Sequence, residues 1–139
     1  ESAGLTIKDH VPEKDGIIAC LLMAEMVAKE RRPLGELLKR LFKEVGTIIN
    51  QRINIHLDES NRKEVADRLS QPMTELNGFR VKGKKTTADG TKYMIDDDSW
   101  ILMRASGTEP VVRVYVESSS EEKIKELIEA GRKYVLGKK

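Results

Sequence analysis

Apolar positions in the first third of the chain recur with a helical period. Asp15 and Gly16 precede a run in which Ile17, Ile18, Leu21, Leu22, Met23, Met26 and Val27 leave little polar surface. The pattern predicts a helix over residues 17–27, with Asp15 as its N-cap. A helix apolar on most sides calls for burial. A second helix is predicted from Pro33, suited to a first helical turn, through the stripe Leu34, Leu37, Leu38, Leu41, Phe42 and Val45, with Gly46 as its stop.

Beyond Gly46 the period changes from helical to alternating. Ile53, Ile55 and Leu57 fall on one side of a predicted strand, and Arg52, Asn54 and His56 on the other. Ser60 and Asn61 are candidate caps of a short helix carrying Val65, Ala66 and Leu69, with Glu64 completing a capping box and Pro72 ending it. Strands are then predicted over 80–87, 92–95 and 100–104, punctuated by Asp89-Gly90 and by residues 96–99. A further strand spans 111–117. Ser119 with Glu122 reads as a capping box opening a last helix, whose apolar face holds Ile124, Leu127, Ile128, Tyr134 and Val135.

These elements define an α+β class: an antiparallel sheet of four to five strands with helices on one face, preceded by a two-helix segment. The boundary falls near Gly46, dividing residues 1–46 from 47–139. Two helices without a sheet carry more apolar surface than a lone hairpin hides, so the first segment reads as the edge of another domain.

Composition narrows the function classes. With 39% apolar and 35% charged residues the chain is an ordinary globular sequence, neither disordered nor membrane-spanning. Its net charge of +2 demands neither a nucleic acid nor an anionic membrane as partner. A single cysteine excludes an internal disulfide and favours a reducing, cytoplasmic setting. Cys20, inside the first apolar run, is expected to be a small core residue. A chain opening on Glu1 rather than Met is expected to be a processed product or an excised piece.

The candidate chemistry lies between two predicted strands, in Arg104-Ala105-Ser106-Gly107-Thr108-Glu109-Pro110, with Arg113 just beyond. A phosphate monoester needs several donors converging on its oxygens. Two hydroxyls, consecutive backbone N–H groups and a glycine that permits close approach can form such a nest. Arg104 adds a planar fork matching phosphate geometry, and Arg113 a second. Ser-Gly-Thr is also an ordinary turn string, so these residues alone suit either an anion site or a plain hairpin loop.

The string RASGTEPVVRVYVE resembles the phosphate-binding loop in domain 4 of the α-D-phosphohexomutases, the phosphoglucomutase and phosphomannomutase family. Glu1-Ser2-Ala3-Gly4 resembles the end of that family's sugar loop in domain 3, and residues 9–16 the segment following it in phosphoglucomutases. The resemblance covers the end of domain 3 and all of domain 4, whose fold is TATA-box-binding-protein-like. It implies that Arg104, Ser106, Gly107, Thr108 and Arg113 hold the substrate's phosphate. It places Ser2 and Lys14 at the sugar, with His10 beside them as either a sugar contact or an exposed imidazole. It further implies a parent enzyme that moves a phosphoryl group between the 1- and 6-positions of a hexose, by way of a bisphosphate. The donor phosphoserine and the aspartates for Mg²⁺ lie in domains 1 and 2, whose motifs this chain lacks. The implied partners are a hexose phosphate and the remaining domains; no catalytic residue, metal ligand, membrane or nucleic acid is expected here.

Other signals weigh less. Asp96-Asp97-Asp98 splay in a turn and read as solvated. Arg80, Lys82, Lys84 and Lys85 form a basic strand, the main support for an alternative non-catalytic anion- or nucleic-acid-binding module. Arrayed bases would want aromatic platforms, and only Phe79, Tyr93 and Trp100 lie near. His56 reads as a surface histidine.

Overall fold

The computed structural model describes residues 4–87 and 90–137. Two compact units emerge, one ending at Gly46 and the other beginning at Thr47.

The first unit holds α1 (Gly16–Glu30) and α2 (Leu34–Val45). Asp15 caps α1 as its sequence predicts, Oδ1 accepting from the N–H of Ile17 at 2.9 Å and of Ile18 at 3.0 Å. Pro33 occupies the N-cap of α2 rather than its first helical turn, and Gly46, at φ 88°, ends that helix. The burial expected of α1 is not found. No described residue of either helix is fully buried, and Ile17 remains 77% exposed. Cys20, expected in a core, is exposed as well. Two helices make a single layer, which cannot cover a helix apolar on most of its sides.

The second unit contains β1 (Ile49–His56), a 3₁₀ turn (Glu59–Asn61), α3 (Arg62–Ser70), β2 (Glu75–Leu76), β3 (Phe79–Arg80), β4 (Gly83–Thr87), β5 (Gly90–Met94), β6 (Trp100–Ala105), β7 (Val111–Ser118) and α4 (Glu121–Leu136). Among the described residues, five strands form one antiparallel sheet in the order β1-β7-β6-β5-β4. The chain thus has the expected α+β class. β1 pairs along the free edge of β7, Ile49 opposite Ser118 and His56 opposite Val111. Alternation along β7 buries Val112, Val114 and Val116, while Arg113, Tyr115 and Glu117 point to the opposite face. Helix α4 packs on the buried face. A Cβ on its Gly131 would lie 2.8 Å from Ile101 Cδ1 and 3.2 Å from Val114 Cγ1, so glycine permits the close approach.

Several boundaries differ from expectation for local reasons. The predicted strand 80–87 is two pieces. Phe79–Arg80 pairs with Glu75–Leu76 around Asn77-Gly78, both at positive φ (43° and 92°), and only Gly83–Thr87 joins the large sheet. Asn61 makes no side-chain cap bond, because the 3₁₀ turn already holds it at φ −97°, ψ −6°, away from the extended backbone capping needs. The cap of α4 is Ser120 rather than Ser119. Its Oγ accepts from Lys123 N–H at 3.4 Å, since β7 runs on to a buried Ser118 and the helix begins only at Glu121. Of the predicted Asp89-Gly90 turn, Asp89 lies outside the described residues.

Candidate functional site

Strands β6 and β7 deliver two arginines to one place. Arg104 and Arg113 are directly opposed in the antiparallel register, on the sheet face away from Ile101, Met103 and Val114. Like charges directly opposed destabilise a sheet, so the pairing asks for negative charge nearby. Glu109 supplies some: its Oε2 is 3.3 Å from Arg113 Nη2. Gly90 of β5 lies beside the stem of Arg104, with room for a Cβ only 3.7 Å from Arg104 Cβ.

Residues 105–110 join these strands. Ser106 N–H donates to the carbonyl of Val111 at 2.9 Å and Val111 N–H to that of Glu109 at 2.8 Å, closing a tight bend. Ser106 is buried, and its Oγ accepts from the N–H of Glu109 at 3.2 Å and of Thr108 at 3.4 Å. Its hydroxyl lies 3.5 Å from that of Thr108. The serine thus sits at the centre of the bend as its staple, with two loop amides directed at it. Gly107, Thr108, Glu109 and Pro110 are exposed. A Cβ on Gly107 would meet no protein atom within 4 Å, so the surface beside the loop is open.

Two contacts tie the loop to a distant stretch of chain. Leu57 N–H donates to the carbonyl of Pro110 at 2.8 Å. Arg62, in the first turn of α3, donates from Nη2 to the carbonyls of Gly107 at 3.0 Å and Ser106 at 3.5 Å. Neither was visible from local spacing.

In the first unit, Lys14 N–H donates to Glu13 Oε1 at 2.8 Å, and the Lys14 stem occupies the space where Gly4 would carry a Cβ. His10 Nε2 lies 3.6 Å from Asp15 Oδ2. Asp15 is held below the usual carboxylate value chiefly by the Ile18 N–H; weak desolvation opposes this, and the Ile17 N–H and His10 assist. His10 is therefore linked to the residue that caps α1. Ser2 lies outside the described residues.

The remaining signals are simple. Asp96 forms a turn, its Oδ1 accepting from the Ser99 hydroxyl and from Asp98 N–H at 3.1 Å, its Oδ2 3.1 Å from Lys123 Nζ. Among the described residues no group of three or more His, Cys, Asp or Glu is placed to hold a metal ion, and no helix is long and apolar enough to cross a membrane. Lys82, Lys84, Lys85 and Arg80 are exposed, as is His56. The aromatic neighbour Trp100 is covered by Lys92 Nζ, 3.8 Å from its ring centre, and its indole N–H donates to Glu117 at 2.7 Å.

Comparison with known proteins bears on this arrangement. The family model described as phosphoglucomutase/phosphomannomutase, C-terminal domain, matches residues 53–133, and that for alpha/beta/alpha domain III matches residues 1–45. A phosphoglucomutase/phosphomannomutase of Thermococcus kodakarensis is 34% identical over 96% of this chain and 27% of its own length. A probable phosphoglucosamine mutase of Methanothermobacter thermautotrophicus is 34% identical over 87% of the chain and 25% of its own. A phosphoglucomutase of Komagataeibacter xylinus is 35% identical over 76% of the chain and 20% of its own. The chain belongs to the phosphoglucomutase/phosphomannomutase family. It spans about a quarter of the length of the curated relatives it matches.

Proposed function

We propose that residues 47–139 are the domain of a phosphohexomutase that grips the non-reacting phosphate of a hexose phosphate, and that residues 1–46 are the end of its sugar-binding domain. The observation that carries this reading is the opposition of Arg104 and Arg113 at the ends of a bend whose Gly107 and Thr108 are exposed and whose Ser106 is turned inward. Two guanidinium forks on the strands flanking a bend that carries two hydroxyls suit a dianionic ester. The weak amide bonds to Ser106 Oγ, at 3.2 and 3.4 Å, are ones a phosphate oxygen can replace or share. Lys14, His10 and Ser2 belong to the sugar end of the same reading.

In the whole enzyme this grip anchors one end of the substrate while a phosphoryl group moves at the other. Remote binding energy of that kind positions the reacting centre. The parent reaction is the interconversion of glucose 1-phosphate and glucose 6-phosphate through a bisphosphate, in the cytoplasm. Relatives named for glucosamine and mannose phosphates are the substrate alternatives. Mg²⁺, which offsets charge on the transferring group, would be held by aspartates outside residues 1–139.

The 139-residue chain should bind inorganic phosphate and glucose 6-phosphate weakly, with shifts in the amide resonances of Gly107 and Thr108, and should not turn over glucose 1-phosphate. Arg104→Ala should weaken that binding by roughly 1.5–3 kcal/mol, the scale of hydrogen bonds to charged groups. Unchanged affinity in the variant, or mutase turnover by the chain alone, would contradict the proposal. The alternative of a nucleic-acid module predicts salt-dependent oligonucleotide binding with no response to phosphate.

A further inference from the structure

We infer that Arg62 is a positioning residue for the candidate phosphate loop: its guanidinium clamps the carbonyls of Ser106 and Gly107 and thereby aims the following amides at the anion. The inference rests on the phosphate-site reading above.

The geometry carries it in three steps. Arg62 Nη1 is anchored on Glu59 Oε1 at 3.2 Å, within its own turn of chain. Its Nη2 reaches across to the loop, 3.0 Å from the Gly107 carbonyl and 3.5 Å from that of Ser106. In a trans peptide the C=O and the next N–H point in opposite directions across one rigid plane. Drawing the carbonyls of residues 106 and 107 towards Arg62 therefore turns the N–H groups of Gly107 and Thr108 the other way. Those are the donors an anion nest requires.

The placement of Arg62 is otherwise unfavourable. It stands in the first turn of α3, where a cation opposes the helix dipole by about 0.3–1 kcal/mol. Bonds to two loop carbonyls give the charge a use there. The contact also adds a second anchor to the loop, beside the bond from Leu57 N–H to the Pro110 carbonyl.

The test uses the 139-residue chain, inorganic phosphate as probe, and the variants Arg62→Met, Arg62→Lys and Arg104→Ala. Amide exchange at Gly107 and Thr108 is measured without phosphate, affinity by resonance shifts, and folding by thermal melting. Arg62→Met should accelerate exchange at both amides and weaken phosphate binding about tenfold, the scale of one lost charge-assisted hydrogen bond. Lysine at the position should recover part of both. Arg104→Ala should weaken binding with exchange unchanged.

Wild-type affinity in Arg62→Met overturns the inference. So does weakened binding with unaltered loop exchange, which would make Arg62 a direct ligand. Should Arg62→Met fail to fold, Arg62→Lys decides: affinity and exchange both intermediate support the role, and both at wild-type values or both fully lost overturn it. A chain that ignores phosphate in every form, Arg104→Ala included, overturns the phosphate-site reading. Exchange at the loop then still decides separately whether Arg62 orders it.

Discussion

The two units of this chain put their apolar side chains to opposite effect. In α1 and α2 the leucines and isoleucines stay largely at the surface; Leu21 is 64% and Leu41 50% exposed. In the second unit Leu127, Ile101 and Val114 have no accessible surface at all. The difference lies in what each helix can meet. α4 lies on a sheet whose buried face repeats every second residue, whereas the first unit offers α1 no sheet, and an ion pair of 2.9 Å links Arg40 of α2 to Glu30 of α1. Hydrophobic patterning therefore specifies that a face seeks cover, and not whether this stretch of chain provides it.

The largest effect that probes this contrast is a truncation made in each unit. Leu127→Ala should cost about 2–5 kcal/mol in the main unfolding transition, since it empties a fully enclosed site. Leu41→Ala should alter that transition by less than about 0.5 kcal/mol. Equal losses in urea denaturation would erase the distinction. Next in size is overpacking at the helix-sheet contact. Gly131→Val should destabilise by about 1–3 kcal/mol, because its side chain meets Ile101 and Val114 with no space to recede.

A smaller effect separates adjacent serines. Ser120→Ala removes the acceptor for Lys123 N–H and should cost about 1 kcal/mol, while Ser119→Ala should fall within about 0.5 kcal/mol. Calorimetric melting of both variants checks which one caps α4. The smallest concerns acid. Partial burial raises the Asp96 carboxyl, but the Ser99 hydroxyl, Lys123 and Asp98 N–H outweigh this and hold it below 3.8. Its folded value thus lies below its unfolded one, so its contribution is complete above the unfolded value and disappears as pH falls through the folded one. Asp96→Asn should flatten the stability profile below about pH 4, and an unchanged acid slope would count against the Asp96 contacts.

Much of the fold was legible because the relevant forces are short-ranged. Asp15 caps the helix that begins at the next residue, and Ile53 and Ile55 alternate with Arg52 and Asn54 as a half-buried strand must. The hairpin at Asn77-Gly78 is also written in plain turn chemistry, but a two-residue strand has too few alternations to register. β7 runs one residue beyond the predicted strand. Whether a serine is last in the sheet or first before a helix depends on what covers it, and Ser118 is covered.

The candidate site divides along the same line. Arg104, Ser106, Gly107, Thr108 and Arg113 could be singled out because ten successive positions bring complementary chemistry together, and a tight hairpin leaves those arginines little choice but to face one another. That Ser106 turns inward as the staple of its own bend was not legible, since the direction of a hydroxyl depends on which amides the closed loop presents. Nor was Arg62, which stands 45 positions before Gly107. Local periodicity, caps and turn residues act over about four neighbours, so residue order suffices for them. Which strand fills the edge of β7, and which arginine then arrives behind the loop, follows from closure of the whole sheet, where no repeat along the chain encodes the meeting.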